Sequence, residues 1–387
     1  MKDFIFKMPA KVRFGEGIHT KLGTILKDEM GFNKVFIATD KGIVSTGIID
    51  KIKTGLDQGG IDYIVYDELI PDPTIEVVDE AAEVLRKSGA DVVLAVGGGS
   101  PIDTAKAMCM LQTHEGSVRE YLFGGSKQVT KEIMPLVCIP TTAGTGSEMT
   151  AASVITNNQE KTKVSVTHEN LIPKMAFIDP DLQMGMPPFI TATTGMDALT
   201  HAIESYVSLN AEPISDAMGI AAIKMISDNI RLAVANGNNK EARTNMAIAS
   251  TIAGVAFMNG GLGVVHGIAQ TIGAVAHVAH GVANSLLLPY CMERNVVGNL
   301  EKFKNIAVAM GENVDGLSER DAAQAAIKAV FQLAEDLKVP MKLKDVGVTR
   351  EMFPEIIQGT MEYRMLGINP CKLKASDVND ILERAFE

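Results

Sequence analysis

The stretch DVVLAVGGGSPIDTAK, residues 91–106, decides the architecture. An apolar run of strand length enters three glycines, and Pro101 then stands where the first turn of a helix tolerates it. Glycines let a pyrophosphate approach the main chain, and the free N–H groups at a helix start face an anion. Working outward, short apolar runs alternate with helical patterns: KVFIAT (34–39), a helix ending near Gly59, DYIVY (62–66), a helix from Thr74 to Ser88, and PLVCIPTT (135–142). Such spacing indicates a parallel sheet with helical crossovers. A second glycine-rich turn, TTAGTGS (141–147), follows the last of these runs. Two such turns mark the strand ends where an open α/β sheet binds ligands. Neither is the GxGxxG fingerprint. Upstream, Asp40 ends the first run, where it either bonds ribose hydroxyls and repels a 2′-phosphate, favouring NAD over NADP, or caps the following helix.

Beyond about Leu182 the pattern changes. MGMPPF (184–189) breaks the chain with two prolines, and MDALTHAIESYV (196–207) and DAAQAAIKAVFQLAEDL (321–337) carry the three- and four-residue apolar spacing of helices. The expected organisation is therefore an α/β nucleotide-binding domain over 1–185 and an all-helical domain over 186–387, as suits a chain of 387 residues.

With 46% hydrophobic and 21% charged residues, the composition is that of a folded globular protein. A net charge of −11, with no Lys/Arg run, argues against nucleic acid and anionic membrane as partners. Four dispersed cysteines without a CxxC pair suggest neither a disulfide framework nor a cysteine-based zinc site. The N-terminus has charges at Lys2, Asp3 and Lys7 and no apolar core of a signal peptide, so a cytoplasmic location is expected. No Asp, Glu, Lys or Arg occurs between Arg243 and Glu293. Its Asn, Gln, His and Gly content reads as a buried helical core lining a polar site rather than a membrane hairpin.

Within that uncharged stretch stand His266, His277 and His280. Upstream, Asp197 and His201 are four residues apart and share a helix face, as a hydrogen-bonded pair or as two ligands of a first-row metal. Along one unbroken helix His266 and His280 would lie roughly 21 Å apart, too far to share an ion. Either they serve different purposes or the chain reverses between them, and Gly273 offers a place to turn.

Taken together these segments resemble the iron-containing (group III) alcohol dehydrogenases, through FKMPAKVRFGEG (6–17), PDPT (71–74), GGGSPIDTAK (97–106), IPTTAGTGSE (139–148), FIDPDL (177–182) and the histidine segment. The resemblance implies a Rossmann-like parallel sheet followed by a helical metal domain. By position it implies Asp197, His201, His266 and His280 as metal ligands, which requires the chain reversal. Gly98, Gly99 and Ser100 match the pyrophosphate loop, and Thr141, Thr142 and Thr145 the second loop. Asp40 matches the residue of NAD preference, Lys163 a lysine near the ribose, and Asp72 and Asp103 fall with the cofactor-binding set. The implied cofactors are NAD, with NADP disfavoured, and Fe²⁺, with Zn²⁺, Mn²⁺, Co²⁺ or Ni²⁺ as alternatives. The implied reaction is hydride transfer between the nicotinamide and a small primary alcohol or diol, the metal acting as Lewis acid. A homo-oligomer, dimer or larger, is also expected.

Glycerol dehydrogenase and dehydroquinate synthase are the related alternatives, the second lacking support because no Arg or Lys accompanies the ligand motifs. A non-enzymatic nucleotide- or metal-binding protein would leave both features without a purpose. One departure stands out: many relatives carry a histidine four residues past the third ligand, where this chain has Gln270, which cannot accept and pass a proton. His277 is then the nearest titratable candidate for a proton relay, with a water chain as the competing explanation. Ala151 stands where some relatives have a larger polar residue.

Overall fold

The computed structural model describes residues 3–160 and 162–387. Two compact units emerge: one of Pro9–Thr142 with Gly146–Met184, the other of Gly185–Glu387 with Ala143–Thr145 and the N-terminal stretch up to Met8. The chain thus passes from unit to unit at four places, where the sequence suggests one cut near 185. The reason for the small excursion is steric. A Cβ on Gly144 would lie 2.7 Å from both the Cβ and the carbonyl oxygen of Thr194, so only glycine lets this backbone pack on the helix behind it.

The first unit holds a six-stranded parallel sheet in the order β1-β8-β5-β4-β2-β3. Its strands are β1 (Lys11–Phe14), β2 (Lys34–Asp40), β3 (Asp62–Leu69), β4 (Val92–Gly97), β5 (Leu136–Pro140) and β8 (Met175–Ile178). Its helices are α1 (Leu22–Thr24), α2 (Lys41–Ser45), α3 (Ile48–Gln58), α4 (Ile75–Ser88) and α5 (Gly99–Met110). Side chains alternate across a strand, so Val35 and Ile37 pack with α3 on one face while Phe36 and Ala38 pack with α4 and α5 on the other. Both faces are covered, which is why β4 reads as an unbroken apolar run.

β2 leads into α2 and α3 on one face and its neighbour β4 leads into α5 on the other, so the sheet has its switch point between β2 and β4. Asp40 and Gly98 lie at the carboxyl ends of those two strands, and pairing of Gly97 with Pro140 brings the two glycine-rich turns side by side. An antiparallel hairpin, β6 (Ala152–Asn157) with β7 (Thr162–Thr167), adds a small second sheet that the sequence reading does not include.

In the second unit, α6 (Pro188–Val207), α7 (Pro213–Ala235), α8 (Lys240–Gly260), α9 (Val264–Val275), α10 (His280–Asn295), α11 (Leu300–Ala309), α12 (Glu319–Asp336), α13 (Phe353–Met361) and α14 (Ala375–Phe386) share one core. α6 is buried along most of its length. The uncharged stretch forms most of α8, all of α9 and most of α10, much of it within this core. Among the described residues no single helix is long and apolar enough to cross a membrane, and the chain bends by 103° between α8 and α9.

The reversal between His266 and His280 exists, but not at Gly273. α9 continues through Gly273 to Val275, and the chain turns over Ala276–Ala279. His277 makes the turn with φ of 55°, the left-handed conformation that commonly ends a helix and that histidine adopts more readily than most residues.

Candidate metal centre and cofactor loops

Of the residues assigned to the cofactor, those of the first unit gather at the carboxyl edge of the sheet. Gly98 caps α5, and a Cβ there would meet Thr142 Oγ1 at 3.3 Å, so glycine in the first loop makes room for the Thr142 side chain of the second. The first N–H groups of this twelve-residue helix, from Gly99 and Ser100, have no partner within it, as an anion site requires. Asp72 adopts φ of 52°, donates its N–H to Ser100 Oγ at 3.2 Å and places Oδ1 2.5 Å from Nζ of the nearly buried Lys163. Three assigned residues, Asp72, Ser100 and Lys163, therefore form one cluster. Asp40 caps α2, with Oδ1 accepting from the Ile43 N–H at 3.0 Å, while its Oδ2 has no partner among the described residues. Thr39, next to the last residue of β2, and Thr141, just past β5, have buried hydroxyls that find no partner among the described residues. Thr145 lies with Gly144 in the helical unit.

At Asp103, Oδ1 accepts from Ser147 Oγ at 2.5 Å and Oδ2 from the Val154 N–H at 3.0 Å, so the carboxylate ties the second loop and the hairpin to the start of α5. Beside it Lys106 is fully buried and donates to Ser147 O, Ser147 Oγ, Thr150 Oγ1 and Ala152 O at 2.7–3.0 Å. Burial lowers the pKa of Lys106 and pushes the Glu148 carboxyl up to about 7, with Lys106 only partly opposing the latter.

The helical unit brings the four assigned metal ligands together. One donor atom from each of Asp197, His201, His266 and His280 lies within 4.8 Å of the others. Asp197 Oδ1 is 3.9 Å from His201 Nε2, 4.0 Å from His266 Nε2 and 3.7 Å from His280 Nε2. The rings stack, His201 on His266 at 4.7 Å and on Phe257 at 4.4 Å between centroids.

Each donor points inward for a local reason. His201 Nδ1 lies 3.3 Å from Gly144 O, and His266 Nδ1 lies 2.6 Å from Glu204 Oε2. Burial, and then the neighbouring His266, hold the His201 pKa well below the usual histidine value, so its ring is neutral, as ligation needs. Asn284, fully buried one turn beyond His280, directs its amide nitrogen at Asp197 Oδ1 (2.6 Å), His280 Nε2 (3.0 Å) and His266 Nε2 (3.2 Å), and its Oδ1 has no partner among the described residues.

This donor set fits a divalent first-row ion. Asp197 and Glu204 are buried carboxylates, and neither pairs with a lysine or arginine among the described residues. Buried charge without a counter-charge is costly, and a cation held by one carboxylate and three neutral imidazoles supplies it.

The family model for iron-containing alcohol dehydrogenase matches residues 9–180, and that for the C-terminal part of the Fe-containing alcohol dehydrogenase family matches 191–386. The chain belongs to the iron-containing alcohol dehydrogenase family. It is 42% identical over 359 residues to the 1,3-propanediol dehydrogenase of Citrobacter freundii, covering 92% of each chain. It is 38% identical over 381 residues to the NAD-dependent methanol dehydrogenase of Bacillus methanolicus, covering 98% of this chain and 99% of that one. A solved 1,3-propanediol oxidoreductase matches the structure with a TM-score of 0.96 at 38% identity, covering all of both chains. The fold is thus that of a family alcohol dehydrogenase, and the resemblance drawn from the motifs holds.

Two side chains that touch the candidate donor set, Glu204 and Asn284, are missing from the sequence reading although their spacing points to them. Glu204 follows Asp197 by seven and His201 by three, on the same helix face, and Asn284 follows His280 by four. His277 is exposed on the turn, and Gln270, half-buried one turn after His266, makes no side-chain hydrogen bond among the described residues.

Proposed function

We propose that this family member transfers hydride between NAD and a small primary alcohol or diol, and in reverse reduces the aldehyde, with Fe²⁺ held by Asp197, His201, His266 and His280. The observation that carries the reading is the convergence of those four donor atoms within 4.8 Å, three of the residues buried and His280 partly open. When bound, the ion supplies Lewis acidity that lowers the pKa of an alcohol, and NAD supplies the hydride acceptor.

The remaining work falls to side chains. Gly144 O and Glu204 hold two imidazoles in the tautomer that presents Nε2, and Asn284 braces Asp197. Gly98, Gly99 and Ser100 offer main-chain N–H groups to a pyrophosphate, with Thr141 and Thr142 beside them, while Asp72 and Lys163 stand as a preformed ion pair next to Ser100. Asp40 leaves one carboxylate oxygen for ribose hydroxyls and sets NAD above NADP by repelling a 2′-phosphate. His277, the titratable side chain on the turn joining the two helices that carry His266 and His280, is the proton carrier in place of the residue occupied by Gln270.

Assembly as a homo-oligomer is supported by β1, an edge strand paired only with β8, with Val12 and Phe14 exposed. Free cysteines, three buried and one half-buried, suit a reducing cytoplasm. The test is oxidation of NADH and NADPH against a panel of short aldehydes and hydroxyaldehydes. NADH-linked turnover of small substrates is expected, and turnover with NADPH alone would contradict the cofactor assignment.

A further inference from the structure

The helix that presents His266 begins in an unusual way. α9 has no side-chain cap of its own, and its first N–H groups are met by residues distant in sequence: Val264 N–H by Asn369 Oδ1 at 3.1 Å and Val265 N–H by Glu204 Oε1 at 2.7 Å. A Cβ at Gly263 would lie 2.7 Å from Asn369 Oδ1 and 2.9 Å from Glu204 Oε1, so glycine there makes room for both caps. The second oxygen of the same carboxylate, Oε2, lies 2.6 Å from His266 Nδ1.

Glu204 Oε1 accepts from the Val265 N–H, and the neighbouring Oε2 of the same buried carboxyl lies at hydrogen-bond distance from His266 Nδ1, the geometry of a carboxylate accepting at both oxygens. An acceptor at Nδ1 places the imidazole proton there, which leaves the lone pair on Nε2. The opposite side of the ring agrees, because the Asn284 amide donates toward His266 Nε2 at 3.2 Å and a donor needs a lone pair.

We propose that Glu204 is a positioning residue for His266: one carboxylate oxygen fixes the start of α9 and the other fixes the ring's tautomer and plane, so that Nε2 faces Asp197, His201 and His280. The inference rests on the reading of those four residues as a metal centre. Carboxylates behind a ligating histidine raise its basicity and orient it, and their loss typically weakens metal binding by about 10- to 100-fold.

Glu204→Gln separates this role from helix capping. The glutamine oxygen still accepts from the Val265 N–H, but its amide nitrogen then donates to His266 Nδ1 and drives the ring's proton onto Nε2, where it blocks ligation. Metal affinity of the full chain is measured by competition with a chelator of known affinity, together with the visible spectrum of the Co²⁺-loaded protein and the melting temperature of the metal-free protein. The expected result for Glu204→Gln is roughly 10- to 100-fold weaker binding and an altered Co²⁺ spectrum, with the metal-free melting temperature nearly unchanged. Wild-type affinity and spectrum in Glu204→Gln would overturn the proposal and leave Glu204 as a helix cap.

His266→Ala is the control. If it too retains wild-type affinity, the metal-centre reading itself fails and the proposal falls with it. Should Glu204→Gln not fold, the ring ¹H and ¹⁵N shifts of histidine-labelled, Zn²⁺-loaded wild type decide the matter. An Nδ1-bound proton on His266 that resonates far downfield and exchanges slowly, as a short bond to a carboxylate requires, supports the proposal, and an Nδ1 that is unprotonated or whose proton is ordinary in shift and exchange overturns it.

Discussion

At the scale of single residues, two assignments yield to substitutions that keep the local backbone. Asp40 is both cap and charge, so Asp40→Gly would confuse the two, whereas asparagine caps as well as aspartate and carries no charge. Asp40→Asn is expected to raise the NADPH-to-NADH ratio of kcat/KM by roughly tenfold or more, a fraction of the about 4 kcal/mol between unit charges 4 Å apart near a surface. Its melting temperature should stay at that of the wild type. An unchanged ratio would leave Asp40 as a cap alone. His277 sits in the left-handed region, where asparagine is tolerated, so His277→Asn removes the titratable ring without adding strain. Turnover is expected to fall on the order of 100-fold at unchanged metal content. Loss of metal in proportion to turnover would instead make His277 structural.

At the scale of elements, the second glycine loop rests on a buried polar layer of Asp103, Lys106, Ser147 and Thr150, with Glu148 buried beside it. Glu148 holds its proton more tightly folded, at about 7, than unfolded, near 4.3. The folded state therefore binds the extra proton between those values, and the stability this gives, fully present at low pH, is lost as pH rises through 7. The cost of ionising the buried carboxyl is on the order of 3 kcal/mol by pH 8. Glu148→Gln, measured by urea midpoints at pH 5 and pH 8, should lose this decline and gain stability relative to wild type at the higher pH. Parallel pH dependence in the two proteins would contradict the assignment.

The same elements show what sequence can and cannot carry. β4, the two glycine turns and α6 were legible because each rests on local rules: apolar length, glycine clustering, and four-residue spacing. The turn at His277 was not, since Gly273 is the better breaker by propensity and the αL conformation of a histidine is set by the packing around it. The bonds that Asp103 makes to Ser147 and Val154 span more than 40 positions, so its part in holding the second loop is not visible in the motif. Glu204 followed the helical spacing, yet its meaning came from Val265 and His266, 61 and 62 residues distant.

At the scale of the whole molecule, the sheet unit presents free main-chain N–H groups at its switch point, and the helical unit gathers one carboxylate and three imidazoles that could hold a metal ion. Family membership accounts for both. The central claim is that turnover depends on one ion at Asp197, His201, His266 and His280. The direct measurement is NADH-linked reduction of a short aldehyde by chelator-stripped protein as Fe²⁺ is titrated in without oxygen. Activity should be absent at the start, rise in proportion to added iron and level off at about one ion per chain, and His266→Ala should not respond. Full turnover by the stripped protein, or by His266→Ala without added metal, would contradict the account.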